Sequence, residues 1–163
     1  MIAELEADIP WVHPGLREAI VGGTYRTATT PLGVLQLADA PDGEPALEAP
    51  EHSADAGARL AGVYLWLFPN LMLNLYPWGL SLNRVVPVGP AATRVDYARW
   101  IWDERHLDRG AGGDLDGVEH EDDEVVEGVQ RGVRARLYDR GRYAPGHEVG
   151  THHFHRLLAK ALG

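Results

Sequence analysis

The 163-residue chain has no cysteine, only two methionines and two phenylalanines, and fewer basic than acidic side chains. Each shortage excludes something. Iron–sulfur clusters are held by thiolates, so this chain cannot ligate one on its own. With 15 Lys and Arg against 24 Asp and Glu, the net charge is −9. That balance argues against a general nucleic-acid binder, because neutralising phosphates needs clustered cations. No long uninterrupted apolar run is present either. The longest candidate, Leu60 to Leu82, is broken by Pro69, Asn70, Asn74 and Pro77 and cannot span a bilayer. No basic stretch followed by an apolar one opens the chain, so a signal peptide is not expected and a cytoplasmic location is the default. What remains is 45% hydrophobic and 24% charged, the balance of a soluble globular protein, and the length suits one domain spanning 1–163.

The order of patterns along the chain points to an α+β fold. Gly23–Thr30 and Gly33–Leu37 read as strands around a Pro31-Leu32-Gly33 turn. Residues 38–58, rich in Pro, Ala, Asp, Glu and Gly, have no periodicity and read as a long loop. Gly62–Phe68, Leu71–Tyr76 and Leu80–Val86 are short apolar runs punctuated by PN, PWG and VGP, as in consecutive antiparallel strands. Thr93–Asp103 alternates, with Val95, Tyr97, Arg99 and Ile101 on one face and Arg94, Asp96, Ala98, Trp100 and Trp102 on the other. Gly110–Gly117 (GAGGDLDG) matches no phosphate-binding fingerprint and reads as a connector. Strands first and helices afterwards predict a sheet with helices on one face.

The residue that most needs explaining is Asp122. Val118, Val125, Val126, Val129 and Val133 recur at three- and four-residue spacings, as one stripe of a helix, and Asp122 lies within it. Asp123 falls instead with Glu119, Glu127, Gln130 and Arg134 on the polar side. If the valine stripe faces inward, Asp122 is carried inward with it. An ionised carboxylate there needs a cation, a metal or hydrogen-bond donors. A capping or salt-bridged Asp is the simpler alternative.

Three blocks, taken in order, extend this. YLWLFPNLMLNLYPWGLSLNRVVPVGPAATRV, VEHEDDEVVEGVQRGVRARLY and GRYAPGHEVGTHHFHRLLAKAL together resemble the C-terminal catalytic region of Rieske-type aromatic ring-hydroxylating oxygenases. The similarity is greatest to the branch acting on choline- or carnitine-like amines, and covers roughly Ile9 to Leu162. The resemblance implies a helix-grip arrangement, in which a curved antiparallel sheet, a long helix and a C-terminal helix enclose a substrate pocket. It also implies a mononuclear Fe(II) centre, with the family's helical carboxylate ligand falling on Asp122. In the block EADIPWVHPGLREAI, the second of the family's two histidine ligands is His13. The first falls on Asp8. The family's bridging acid falls near Leu5, flanked by Glu4 and Glu6.

A two-His, one-carboxylate triad leaves positions open on iron for dioxygen. Asp8, His13 and Asp122 would make one imidazole and two carboxylates. Either the residues before IPWVHPGL are not homologous, through truncation, or the ligand set has changed. For a chain without cysteine, the resemblance implies a Rieske [2Fe–2S] cluster supplied in trans or by a missing N-terminal domain. The implied partners are a small-molecule substrate, dioxygen and a Rieske domain or reductase as electron donor, with a homotrimer as the family's assembly. The rival reading is a truncated, non-catalytic module that binds a small hydrophobic ligand.

Two further features carry alternatives. Thr151–His155 (THHFH) could bind metal through His152 and His155, three residues apart. Otherwise it opens a helix whose Phe154, Leu157, Leu158 and Ala161 pack inward. Trp66, Trp78, Trp100, Trp102, Tyr64, Tyr76 and Phe68 supply aromatic surface, mostly for the core. Aromatic faces lining a cavity would suit a planar ring or, by cation–π attraction, a quaternary ammonium group.

Overall fold

The computed structural model describes residues 25–163. Seven strands come first: β1 (Tyr25–Thr30), β2 (Gly33–Asp39), β3 (Leu47–Glu48), β4 (Arg59–Leu67), β5 (Leu71–Tyr76), β6 (Gly79–Gly89) and β7 (Ala92–Ile101). A 3-10 turn at Glu104–His106 leads to two helices, α1 (Leu115–Gly132) and α2 (Val149–Leu162). The strands form one antiparallel sheet in the order β1-β2-β4-β5-β6-β7, with β3 paired beside the start of β4. This is the α+β arrangement read from the sequence. No helix among the described residues is long and apolar enough to cross a membrane.

Each apolar run became a strand and each Pro-containing breaker became a connection. The predicted Leu71–Tyr76 strand is reproduced in full; β4 starts three residues before the predicted Gly62 and ends one before Phe68, and β6 extends the predicted Leu80–Val86 at both ends. Within the long loop, β2 continues to Asp39 through a bulge at Ala38/Asp39, and Leu47–Glu48 adds a short rung opposite Leu60 and Arg59. Backbone donors there are also satisfied locally, as in Ala40 N–H to Arg59 O (2.8 Å) and Ala49 N–H to Ala58 O (3.0 Å).

Register assigns the two faces. Paired residues on neighbouring strands share a side, and one row runs Val34, Trp66, Met72, Asn83, Tyr97 across five strands. The next row on the same face runs Gln36, Tyr64, Asn74, Ser81, Arg99. This mixed polar and aromatic face carries both helices. The opposite face presents Leu35, Leu65 and Leu73 in one row and Leu37, Val63 and Leu75 in the next.

The densest packing lies where β5 turns into β6. Tyr76 and Trp78 are buried, with rings stacked at 5.3 Å, and Leu115 of α1 closes over them. Trp78 is 1% exposed and Leu115 8%. Tyr64 meets the Tyr76 ring edge-on at 5.8 Å and stacks on Tyr25 at 6.0 Å. The Trp78 carbonyl accepts from the backbone N–H groups of Trp102 (3.0 Å) and Asp103 (3.1 Å), which ties the end of β7 to this core. Gly112 lies against it with φ +76°, so close that a Cβ would come within 2.9 Å of Tyr76 Cδ1. Only glycine combines that backbone angle with that proximity. The aromatic surface is therefore divided: Tyr76 and Trp78 are core, whereas Trp100 and Trp102 stand largely in solvent.

Candidate functional site

The helix α1 begins inside the glycine-rich connector, not after it. Asp114 is its N-cap, accepting from Gly117 N–H (3.3 Å), and Asp116 in the first turn complements the helix dipole. The connector thus ends three residues earlier than its composition suggests, because the capping aspartate and the buried Leu115 nucleate the first turn.

The rotation of α1 only partly follows the expected one. Leu115, in line with the valine stripe, is buried, but beyond it the flanking acidic side and not the valines meets the sheet. Arg99 Nη2 on β7 pairs with Asp116 Oδ1 (2.6 Å) and Glu119 Oε2 (2.5 Å). One turn later, Tyr97 donates its hydroxyl to Asp123 Oδ1 (3.3 Å). Glu119 and Asp123, assigned by periodicity to the solvent side, are sheet contacts; the Glu119 side chain is only 13% exposed. Val125, Val126 and Val129 are 62%, 65% and 58% exposed, and Val118 and Val133 are exposed as well. The sheet surface under the start of the helix offers a guanidinium and a phenol, which match the acidic side and not the valines.

Asp122 is accordingly exposed instead of buried, but its surroundings remain distinctive. Of the acids on α1, Asp116, Glu119 and Asp123 are held by the sheet, Glu124 lies 3.5 Å from His120 Nε2, and Glu127 lies 3.9 Å from Arg131 Nη1. Among the described residues, neither Asp122 nor the adjacent Glu121 has such a partner. Local crowding, and secondarily the negative charge of Asp123, push its carboxyl above the ordinary aspartate value. Its charge is also felt at the Tyr97 hydroxyl. His13 and Asp8 lie outside the described residues, and no group of three or more metal-binding side chains is gathered among those described.

Glu119 has its pKa raised chiefly by burial, against the lowering effect of Arg99, and its Oε1 has no hydrogen-bond partner. Next to it on the sheet, Ser81 is fully buried and donates to Asn83 Oδ1 (3.1 Å). Tyr97 is raised to about 12, by desolvation first and then by Asp123. Sequence reasoning missed this polar cluster. The signal for it was present: Tyr97 and Arg99 share a strand face, and Asp116, Glu119 and Asp123 share a helix face.

At the other side of the same face, α2 packs over β1, β2 and β4. Phe154 meets Trp66 edge-on at 5.0 Å, and Gly150 lets the first turn approach Val34 closely. An open cleft of about 330 Å³ lies here, lined by Val34, Gln36, Trp66, Asn70, Thr151 and Phe154 among others, with no charged side chain among the described residues of its wall. A smaller space of about 170 Å³ shares Val34, Gln36 and Trp66 with it and extends to Tyr25, Tyr64 and Met72. The histidine tract makes structural contacts. His153 Nε2 lies 2.9 Å from the Thr30 carbonyl, His155 Nδ1 bonds the Tyr143 hydroxyl, and His152 meets the Tyr143 ring. This matches the helix-start alternative, not a metal site. Phe154 and Leu157 are partly buried as expected, but Leu158 and Ala161 are exposed, because α2 touches the sheet mainly through its first two turns.

Comparison with known proteins adds an independent line. A family model described as the ring hydroxylating alpha subunit, catalytic domain, matches residues 9–163. The chain is 33% identical over 158 residues to a chloroplastic choline monooxygenase of Arabidopsis thaliana, covering 92% of this chain and 35% of that protein. Against the choline monooxygenase of Beta vulgaris it is 29% identical over 161 residues, covering 94% and 34% respectively. The chain thus spans about a third of the length of these relatives.

Proposed function

The chain belongs to the ring-hydroxylating alpha-subunit family, its matched residues lying in the catalytic domain, and from that membership we propose that it forms the iron-binding part of a non-haem oxygenase. Its substrate is an amine-type or aromatic small molecule, hydroxylated with dioxygen. The observation that carries this reading is the family match over residues 9–163; by the resemblance the family's helical carboxylate falls on Asp122, which, like Glu121 beside it, has no hydrogen-bond or ionic partner among the described residues. Asp122 and His13 would hold Fe(II), with Asp8 at the third position. Bound there, ferrous iron would supply the redox chemistry that activates dioxygen. Without cysteine, the chain draws electrons from a Rieske [2Fe–2S] cluster outside it, in another domain or in a partner subunit of a trimer.

The remaining roles fall to the sheet face between the helices. Arg99 and Tyr97 occupy the neighbouring acids, so that they do not compete for the metal. Met72 and Asn83, in the row between Trp66 and Tyr97, form the floor along which substrate lies. Trp66 and Phe154 offer aromatic faces, which attract a quaternary ammonium group and accept a planar ring equally well. The phenols of Tyr25, Tyr64 and Tyr76 are held neutral, their pKa values raised by burial. They serve as amphipathic walls and not as anions.

The test is an anaerobic Fe(II) titration of the 163-residue chain followed by a single-turnover assay. Stoichiometric iron, lost in His13→Ala and in Asp122→Ala, is expected. Substrate oxidation by the reduced chain without any Rieske partner would refute the dependence on an outside cluster. The cleft beside α2, whose described wall carries no charged side chain, favours a second reading, a non-catalytic module that holds a small hydrophobic molecule. Binding of a neutral probe such as Nile red to metal-free protein, unchanged in Asp122→Ala and with no iron taken up, would decide for it.

A further inference from the structure

We propose that Asn74 is a specificity-determining residue, and that the inner cavity it lines takes an uncharged, ring-sized molecule bearing a hydroxyl or carboxamide group. The inference names the substrate class for the sheet face between the helices, and it rests on the reading of that face as the substrate floor, though not on iron. Its first support is the strand itself. β5 reads LMLNLY, so Asn74 is a carboxamide among aliphatic residues, in a strand paired on both sides. Asn is disfavoured at such a position, and a half-buried carboxamide needs partners. The other carboxamides of this face and its cleft have them. Gln36 donates to Thr27 Oγ1 (3.3 Å), Asn70 donates to the Val85 carbonyl (2.7 Å), and Asn83 accepts from the Ser81 hydroxyl (3.1 Å). Ser81 is the cross-strand partner of Asn74, yet its hydroxyl turns to Asn83. Among the described residues, Asn74 alone of these four makes no side-chain hydrogen bond.

The space in front of it sets the size of the ligand. The cavity of about 170 Å³ is walled by Tyr25, Tyr64, Trp66 and Met72, with the carboxamides of Gln36 and Asn74. An apolar cavity of roughly 150 Å³ accommodates one benzene, so this one holds a single substituted ring. Gln36 and Asn74 stand on either side of Tyr64 in one row, two strand spacings or about 10 Å apart at the backbone. A ring between them reaches Asn74 with one substituent. The same wall selects against ions. None of its described side chains is charged, and burial keeps the phenols of Tyr25 and Tyr64 neutral by raising their pKa values. A carboxylate would lose its water there without gaining a counter-charge. A quaternary ammonium head would meet the rings, but it has no atom that gives or accepts a hydrogen bond and would leave Asn74 unpaired. The larger cleft shares Val34, Gln36 and Trp66 with the cavity and gives the route in from the side of α2.

The test uses the metal-free 163-residue chain and three small probes: phenol, toluene and tetramethylammonium. Dissociation constants come from proton–nitrogen NMR titration, which also reads the side-chain NH2 group of Asn74 directly. Phenol is expected to bind about 3- to 10-fold more tightly than toluene, the worth of one neutral hydrogen bond, and to shift the Asn74 NH2 resonance, with tetramethylammonium weakest. In Asn74→Leu, checked for folding by circular dichroism, the preference for phenol over toluene should vanish. Asn74→Asp, which keeps the shape but adds a charge, should turn the preference toward tetramethylammonium, and it serves if the Leu variant does not fold. An unchanged phenol-to-toluene ratio in Asn74→Leu, or an unmoved preference in Asn74→Asp, would overturn the role of Asn74 and leave the sheet face standing as a ligand floor. Tetramethylammonium binding as tightly as phenol to the unaltered chain would overturn the uncharged class. Probes that shift no resonance of β2, β4 or β5 would overturn both the inference and the reading it rests on.

Discussion

Two substitutions on α1 should give opposite results, and the contrast tests how the helix sits. Leu115 is its one buried residue, closed over the stacked rings of Tyr76 and Trp78. Trimming it to alanine leaves a void against two rigid aromatic side chains that cannot collapse into it. Leucine-to-alanine changes in cores cost about 2–5 kcal/mol, with the larger values where the site cannot relax; about 3 kcal/mol is expected for Leu115→Ala. For a chain of this size, each kcal/mol moves the thermal midpoint by roughly 2–4 °C. The midpoint should therefore fall by about 6–12 °C. Val125 and Val129 sit on the stripe that periodicity alone would bury, yet both are more than half exposed. Val125→Ser and Val129→Ser should each change stability by less than about 0.5 kcal/mol, a shift of roughly 2 °C or less. Thermal unfolding followed by far-ultraviolet circular dichroism, with urea titration as a check on two-state behaviour, measures all three. If either valine variant costs as much as Leu115→Ala, the valine stripe is buried and the acid-inward rotation of α1 is refuted.

Gly112→Ala should destabilise by about 2–5 kcal/mol, combining backbone strain at φ +76° with a Cβ 3.0 Å from Trp78 Nε1; a urea midpoint unchanged within error would contradict the packing described around Trp78. Tyr97 should show in alkaline titration. Its hydroxyl is raised to about 12 from 10.0, so the folded chain keeps a proton that the unfolded chain releases. The sign follows: this contribution is fully present below pH 10 and is lost as pH rises from 10 to about 12. Tyr97→Phe should flatten that part of the stability profile, and identical slopes for variant and parent would disprove the coupling. Phe154→Ala should cost about 2 kcal/mol, since the ring is partly buried edge-on to Trp66. Faster amide exchange across residues 149–162 is the expected readout, and unchanged exchange would mean that α2 is held by other contacts.

Much of this protein was legible in the residues alone. The β4 to β7 strands follow from short apolar runs separated by PN, PWG and VGP, because local turn chemistry and a two-residue period suffice to specify a meander of sequential neighbours. The helix around Asp122 follows from its periodicity, and three ordered blocks carried the family. What periodicity could not decide was which side of that helix turns inward. A hydrophobic stripe predicts burial only if an apolar surface is there to receive it, and the identity of that surface depends on a strand some twenty residues away. β7 places Tyr97 and Arg99 beneath the start of α1, and these polar groups meet Asp116, Glu119 and Asp123, while nothing apolar among the described residues covers the valines. Sequence determined which positions of α1 are acidic; tertiary structure decided that Asp116, Glu119 and Asp123 are the ones the sheet engages, because ion pairs form between side chains that the fold brings together and the linear order does not.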